Sequence, residues 1–337
     1  MNKLQSILDK TIDNRKVFGA SFCVRQDDNV WCGAAGNMDV GSQFFVASVT
    51  KLFTAAVILN LRSKGRLTLE TKIGKYFGYS QLKGLHVYKD YDYSNEITVK
   101  QLLAHTSGLP DFLTDKNKDG NTLADELFRG KDRYWTFDEC LEMTRNIPAR
   151  FKPEQTRKAH YSDTNYQLLG KIIEIITEKS VSDNFQELII NPLELEKTYL
   201  YSDATDNKPV RFYYKQSELH IPQAMIAFGS DGGVVSTSEE LMTFLVAFFQ
   251  GQFFPAHYVE EMQQWNKIRF PFQSGIGLQK FKAPLSFGVI GHSGMTGVVA
   301  FYYPQNNIYV TGTTNQAAHP DIAFKKMLKM IISIRKR

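Results

Sequence analysis

Residues 45–59, FVASVTKLFTAAVIL, place a serine three residues before a lysine at the start of an almost wholly apolar run. The pattern from Val49 to Lys64 predicts a helix that is apolar on nearly all sides, and Gly65 stands where helices prefer to end. Such a helix is buried. Ser48 would lie at its N-terminus, where free backbone N–H groups and the helix dipole stabilise an oxyanion. The stretch therefore predicts a nucleophilic serine, and the alternative is an ordinary helix N-cap.

Lys51 lies on the same face of this helix as Ser48, one turn further on. No acidic residue stands within four positions of it, so burial predicts a pKa lowered toward the range of a general base. Two other Ser-x-x-Lys pairs lack this setting. Ser80–Lys83 falls in a predicted loop, and Ser333–Lys336 falls in an exposed basic tail.

The composition is that of a globular protein, with 337 residues, 43% hydrophobic and 22% charged. The net charge of +5 is thinly spread, so we expect no nucleic-acid partner. No run is long enough to span a membrane, and the N-terminal residues lack the apolar core of a signal peptide. We therefore expect a cytoplasmic protein, unless an export signal has been trimmed.

The three cysteines, Cys23, Cys32 and Cys140, show no Cys-x-x-Cys or Cys/His spacing. Two of them lie in strand-like apolar stretches, where thiols usually pack as small apolar groups. The sequence therefore predicts neither a disulfide framework nor a zinc site.

The two ends of the chain show similar patterns. An amphipathic helix over 3–14 precedes two strands at 19–25 and 30–36, while strands at 297–303 and 308–314 precede a basic helix from about residue 319. Residues 70–205 are mostly helical patches. The prediction is an α/β protein of the α+β type, with an antiparallel sheet flanked by helices plus a mainly helical subdomain. We place the sheet subdomain at about 1–70 and 206–337 and the helical subdomain at about 71–205, within one catalytic domain covering 1–337.

Two further motifs accompany Ser48-Val49-Thr50-Lys51. Tyr161-Ser162-Asp163 stands just ahead of a predicted amphipathic helix, and His292-Ser293-Gly294 lies in a glycine-rich segment between two strand-like stretches. The chain has no Gly-x-Ser-x-Gly elbow, which disfavours a serine hydrolase built on a doubly wound sheet.

In this order the three motifs resemble those of the serine β-lactamase and penicillin-binding protein superfamily, in its class C β-lactamase, D,D-carboxypeptidase and esterase branch. The phrases at 97–110 (ITVKQLLAHTSGLP) and 229–237 (GSDGGVVST) are also similar, so that the resemblance covers essentially the whole chain. It implies a β-lactamase/transpeptidase-like fold.

The resemblance implies a serine acyl hydrolase that works through an acyl-enzyme on Ser48, with Lys51 and Tyr161 sharing the proton transfers. The backbone N–H groups of Ser48 and Met295 would form the oxyanion hole. No cofactor or metal is implied. The substrate would be a small molecule or peptide with an ester, amide or β-lactam carbonyl.

Substrate binding would involve Asp163, His292, Ser293 and Gly294, and two of these depart from the common pattern. His292 stands where many relatives have a lysine that helps to bind the substrate carboxylate, and its charge depends on pH. Asp163 stands where relatives commonly have asparagine. An ionised aspartate only accepts hydrogen bonds, or it pairs with Lys51 and raises the pKa of that lysine.

Three alternatives remain open at this level. The protein could be a carboxylesterase of the same fold, or a non-catalytic binding protein that keeps the fold. The segment from Asp115 to Glu126 matches a calcium-loop pattern, although a polar surface loop has the same composition. A Tyr-Ser-Asn at 93–95 we treat as coincidence, because it directly precedes the Ile-Thr-Val-Lys-Gln helix and lacks the Leu-Leu-Gly helix of the family motif.

Overall fold

A computed structural model describes residues 2–153, 157–282 and 288–335. The strands in these residues are β1 (Gly19–Gln26), β2 (Asn29–Gly36), β3 (Phe44–Phe45), β4 (Val87–Tyr88), β5 (Tyr91–Asp92), β6 (Tyr199–Leu200), β7 (Phe212–Tyr214), β8 (Ser217–Leu219), β9 (Val234–Ser236), β10 (Asn266–Arg269), β11 (Phe272–Ser274), β12 (Gln279–Lys282), β13 (Gly288–Gly294), β14 (Val298–Tyr303) and β15 (Ile308–Thr313). The α-helices are α1 (Asn2–Asp9), α2 (Thr50–Ser63), α3 (Tyr79–Leu82), α4 (Val99–Leu103), α5 (Leu123–Phe128), α6 (Phe137–Arg145), α7 (Asp163–Thr177), α8 (Val181–Phe185), α9 (Pro222–Phe228), α10 (Ser238–Phe249), α11 (Tyr258–Glu261) and α12 (Asp321–Ile334). No helix in these ranges is long and apolar enough to cross a membrane.

The main sheet has eight strands in the order β10-β11-β12-β13-β14-β15-β1-β2, and every neighbouring pair is antiparallel. Strand β1 pairs with β2 on one side and with β15 on the other, which joins the first and last hairpins of the chain in one sheet. The predicted antiparallel sheet built from both ends of the chain is confirmed, and with it the mixed α and β fold class.

Helices cover both faces of this sheet, and β1 shows why. Its side chains alternate between the faces: Phe22 and Val24 pack with residues of α1 and α12, whereas Cys23 belongs to the core on the opposite face, which includes α2 and α10. The continuous apolar surface of α2 suits this position, since eleven of its fourteen residues are buried. Helix α2 packs in turn against α7.

Helix α2 ends where the sequence predicted. Gly65 adopts the left-handed φ of +68°, its N–H donates to Arg62 O, and the N–H of Arg66 donates to Leu61 O. This glycine-dependent cap terminates α2. The division into subdomains at about 1–70 with 206–337 and 71–205 stays a prediction.

The first helix is shorter than predicted. It covers Asn2–Asp9 rather than 3–14. The carboxylate of Asp13 accepts the backbone N–H groups of residues 15–17 at 2.8–3.0 Å, which turns the chain into β1. An aspartate that serves the backbone in this way competes with helix formation.

The expectation for the cysteines is wrong in one respect, because Cys23 and Cys32 form a disulfide. The two residues stand directly opposite each other in the register of β1 and β2. Strand pairing brings them together, and this proximity depends on the turn between the strands rather than on any cysteine spacing motif. Cys140, which lies outside those strands, is free and buried.

Candidate active site

Ser48 lies on a tight turn between a short strand and a buried helix. Strand β3 pairs with β9, the N–H of Val46 donates to Val234 O at 2.9 Å, and a single 3-10 turn over Ala47–Val49 leads into α2. Ala47 has a φ of +48°, a left-handed conformation that costs a non-glycine residue about 1–2 kcal/mol. The turn presents Ser48 partly exposed at the entrance of α2.

Lys51 is fully buried, and its Nζ has three oxygen partners. These are Ser48 Oγ at 3.2 Å, the backbone oxygen of Asp231 at 2.7 Å and Asp163 Oδ1 at 2.5 Å. The N-cap positions of the 3-10 turn and of α2 are occupied by Val46 and Val49 rather than by Ser48. The N-cap alternative is therefore wrong, since the Ser48 hydroxyl is directed at Lys51.

The predicted pKa of Lys51 is also wrong in direction. Burial opposes the charged form, but the Asp163 carboxylate at 2.5 Å outweighs it and raises the pKa of Lys51 above its ordinary value. The decisive carboxylate begins α7, far along the chain from Lys51. A search for acidic neighbours in the local sequence could not detect it.

Two further carboxylates surround this ion pair. Asp111 Oδ1 accepts the backbone N–H of Asp163 at 2.9 Å, and Asp231 Oδ2 accepts the Gln167 amide at 2.7 Å. Burial and the Asp163 charge raise the pKa of Asp111 to about 7, and they hold the pKa of Asp231 well above its usual range. Lys51 thus lies in a group with three buried aspartates, and the raised pKa values of Asp111 and Asp231 favour their protonated forms.

The Tyr161 ring lies between two histidines. Its centroid is 4.4 Å from that of His105, in a stacked arrangement, and 6.0 Å from that of His292. Lys51 Nζ lies 5.2 Å from the same centroid. Burial raises the pKa of Tyr161, while the Lys51 charge opposes this rise without cancelling it. Tyr161 is a neutral phenol in the resting site.

His105 anchors the tyrosine motif from the other side. Its Nδ1 accepts the backbone N–H of Ser162 and the Asn165 amide, both at 3.1 Å. His105 is buried, and burial together with the Lys51 charge lowers its pKa well below the ordinary value. His105 is therefore a neutral hydrogen-bond acceptor that holds the backbone directly after Tyr161 in place.

The third motif forms the end of strand β13. The sequence had placed it in a glycine-rich segment between two strand-like stretches. Gly294 is its last residue, and a Cβ there would lie 2.5 Å from Val46 O and 3.0 Å from the Ala47 Cβ. Glycine at this position therefore permits β13 to pass directly beside the serine turn. Met295 follows in the tight turn that leads to β14.

The other two members of this motif interact with the protein itself. His292 is buried, its Nδ1 accepts the Ser293 N–H, and burial with the nearby Lys51 charge lowers its pKa to about 3. The ring is neutral at pH 7 and offers no positive charge to a substrate carboxylate. The Ser293 hydroxyl donates to Gln279 Oε1 at 2.7 Å.

Comparison with known proteins identifies this arrangement. Residues 4–329 match the family model described as Beta-lactamase. The chain belongs to this family. The resemblance of the three motifs is thereby confirmed over nearly the whole chain.

Solved structures of the family share the fold. The D-stereospecific amidohydrolase from Streptomyces sp. is 26% identical, with a TM-score of 0.78 over 96% of this chain and 97% of that one. The D-amino acid amidase from Ochrobactrum anthropi SV3 is 23% identical, with a TM-score of 0.82 over 98% of this chain and 100% of that one. These neighbours and the family indicate a serine hydrolase in the broad sense.

A curated relative, Protein flp from Staphylococcus aureus, is 29% identical over 206 residues. The match covers 58% of this chain and 37% of the relative. The chain thus accounts for well under half the length of that protein.

Asp163 is paired with Lys51 in this structure. Its side chain is buried against the lysine at one end of the cleft that also contains Ser48 and Met295. The pairing of Asp163 with Lys51, one of the two possibilities drawn from the sequence, is confirmed.

The segment from Asp115 to Glu126, for which the sequence left a calcium loop open, makes its contacts with the protein itself. Asp115 is paired with Arg150 at 2.5 Å and with His160 at 2.7 Å, and Asn117 Oδ1 accepts backbone N–H groups of its own loop. Within the described ranges, no group of three His, Cys, Asp or Glu side chains is arranged to hold a metal ion. Asp115 instead links the loop to the residue before Tyr161.

The repeated motifs elsewhere have other roles. Ser80 is exposed on α3, and the Ser94 hydroxyl accepts the His86 N–H at 2.8 Å inside a loop. Ser333 donates to Met330 O, whereas Lys336 lies outside the described residues.

Sequence reasoning missed Asp111, Asp231 and Gln167. Asp231 belongs to the 229–237 phrase and Asp111 directly follows the 97–110 phrase, so that both had a signal in the sequence. The sequence did not indicate which groups these side chains contact, because their partners lie on distant elements.

Proposed function

We propose that this protein is a serine acyl hydrolase that cleaves an ester or amide through an acyl-enzyme on Ser48. The observation that carries the proposal is the 3.2 Å contact between Ser48 Oγ and the Nζ of fully buried Lys51, at the edge of a cleft. An activated nucleophile requires a proton acceptor within hydrogen-bond reach. Ser48, Lys51 and Tyr161 all keep reactive groups and lie together, which argues against a non-catalytic binding protein.

Lys51 is an ammonium at rest, so it must lose a proton before it can accept one from Ser48. The Asp163 carboxylate, 2.5 Å away, is the nearest acceptor. When the Lys51 proton moves to Asp163, the neutral amine takes the Ser48 proton as the Ser48 Oγ–carbon bond forms, and the carbonyl π electrons move to the carbonyl oxygen. The backbone N–H groups of Ser48 and Met295 are our candidates for stabilising that oxyanion.

The leaving group departs with the proton that Lys51 has taken, delivered directly or through the Tyr161 hydroxyl. The proton held by Asp163 then returns to Lys51. A water molecule then attacks the acyl-enzyme ester with the same proton transfers through Lys51. The acid is released and the Ser48 hydroxyl is restored. Among the predicted substrate-binding residues, we now assign Asp163 to Lys51 and regard His292 as a neutral wall, while Ser293 and Gly294 keep their predicted role at the end of β13.

The test is turnover of p-nitrophenyl butyrate by the wild type, Ser48→Ala and Ser80→Ala. Ser80 is the matched control, because it precedes a lysine at the same spacing but is exposed on α3. We expect turnover, with a burst of nitrophenol if deacylation is slow, in the wild type and Ser80→Ala but not in Ser48→Ala. Full activity in Ser48→Ala would refute the proposal.

A further inference from the structure

The cleft at Ser48 is lined mainly by apolar side chains. Beyond the turn carrying Ser48 its walls come from α5, β7 and α9. The side chains that define the walls are Leu127, Phe128, Phe212, Ile221, Met225 and Phe228. A pocket with this lining suits an aliphatic or aromatic group.

Both titratable side chains on the cleft, in the part of the chain that the structure describes, are carboxyl groups. Asp163 and Asp231 line it, and no lysine or arginine among the described residues does so. Each carboxylate already has a partner in the protein, Lys51 for Asp163 and Gln167 for Asp231. A substrate carboxylate placed here would lose its hydration without gaining a cation.

The arginine next to Phe212 in the sequence belongs to a different cavity. Arg211 and His220 line a neighbouring pocket, which shares Phe212, Ile221 and Met225 with the cleft. These three side chains form an apolar partition between Ser48 and that pocket. On the other side of the serine turn, buried His292 is held by the backbone of its own strand.

We propose that the acyl group accepted at Ser48 is an uncharged, apolar aliphatic or aromatic group that carries no free carboxylate. This inference rests on the proposed function and narrows it to neutral esters or amides. It excludes substrates that are recognised through a terminal carboxylate beside the scissile carbonyl.

Two comparisons test the inference with the wild-type protein. The first sets p-nitrophenyl succinate, whose acyl group ends in a carboxylate, against p-nitrophenyl methyl succinate, which has the same acyl chain as a neutral ester. The second is a series of p-nitrophenyl esters from acetate through butyrate and hexanoate to 3-phenylpropanoate. We expect kcat/KM to favour the neutral succinate ester by about 100-fold or more, and to rise along the series by up to about fourfold per buried methylene.

Two variants locate the preference in the cleft. Phe128→Ala removes one wall and should lower the ratio of 3-phenylpropanoate to acetate hydrolysis about 10-fold or more. Phe270→Ala, which removes a ring that is 72% exposed and does not line the cleft, should leave that ratio unchanged.

The outcomes separate this inference from the proposed function. Hydrolysis that requires Ser48 but prefers the charged succinate or acetate would overturn the inference alone. If no ester is hydrolysed in a Ser48-dependent manner and no fluorophosphonate labels Ser48, the proposed function fails and the inference fails with it.

Discussion

At the scale of single residues, the charge of Lys51 is set by its surroundings. Three oxygen acceptors surround its Nζ, and only Asp163 contributes a side-chain carboxylate at contact distance. The ion pair with Asp163 offsets the free-energy cost of burying Lys51. It also keeps Lys51 protonated, so that its amine cannot accept a proton. The pH dependence of acylation should therefore report on Asp163.

Replacing Asp163 with asparagine removes the negative charge but keeps the size of the side chain. The change also removes the acceptor to which Lys51 passes its proton, so the variant can react only where the Lys51 amine is already neutral. We expect the acid limb of the kcat/KM profile to move to higher pH, with kcat/KM at pH 7 lower by about 100-fold. Asp28→Asn, at the exposed turn between β1 and β2, removes the same charge and should not move the acid limb. An unmoved acid limb in Asp163→Asn would show that Asp163 is not the acceptor of the Lys51 proton.

Tyr161 and Tyr166 form a matched pair of tyrosines near the lysine. Their ring centroids lie 5.2 and 5.4 Å from Lys51 Nζ, but the Tyr166 hydroxyl donates to Leu103 O. Tyr161→Phe keeps the stacking on His105 and removes the proton carrier, so kcat should fall about 10²–10⁴-fold. Tyr166→Phe should keep activity and lose about 1 kcal/mol of unfolding free energy. Equal activity of the two variants would remove Tyr161 from the mechanism.

Sequence reasoning succeeded for residues whose setting is local. The apolar helix and its glycine stop placed Ser48 and Lys51 at a buried N-terminus without reference to any other segment. It failed for the charge of Lys51, because Asp163 and Asp231 reach the lysine from α7 and from the turn before β9. Pairings between distant segments are determined by packing, which a linear pattern does not show.

At the scale of elements, the contact between β13 and the serine turn is central to the geometry of the site. It depends on Gly294, where a side chain would collide with the Val46 carbonyl oxygen. Gly294→Ala should push the strand and the turn apart and lower kcat/KM about 100-fold, as expected for a displacement near 1 Å. Gly288→Ala, at the other end of β13, meets only the flexible Lys280 side chain and should retain activity. The test measures the activity and the thermal unfolding of both variants. Wild-type activity in Gly294→Ala would show that the site does not depend on the close contact between β13 and the serine turn.

The hairpin of β1 and β2 carries the second test at this scale. With Cys23 and Cys32 joined and Cys140 free, alkylation of the denatured, unreduced protein should add one group, against three after reduction. Mass spectrometry reads both numbers. Three additions without reduction would mean that the bond is absent. Because disulfides persist mainly in oxidising compartments, the result also bears on the cytoplasmic location that the sequence predicted.

At the scale of the whole molecule, the fold followed from the patterns at the two ends of the chain. Alternating strands with short turns identified both outer hairpins, and β1 joins them through its pairing with β15. The edge formed by β10, β11 and β12 and the loop that brings Asp111 to Asp163 could not be predicted in this way. Their strands are short, and their partners are set by long-range packing rather than by local periodicity.

The most direct test of the account is the intact mass of the protein after incubation with a fluorophosphonate probe, which phosphonylates an activated serine and releases fluoride. The wild type and Ser80→Ala should each gain one phosphonyl group, and Ser48→Ala should gain none. A phosphonyl group on Ser48→Ala, or none on the wild type, would contradict the claim that Ser48 is the nucleophile of this protein.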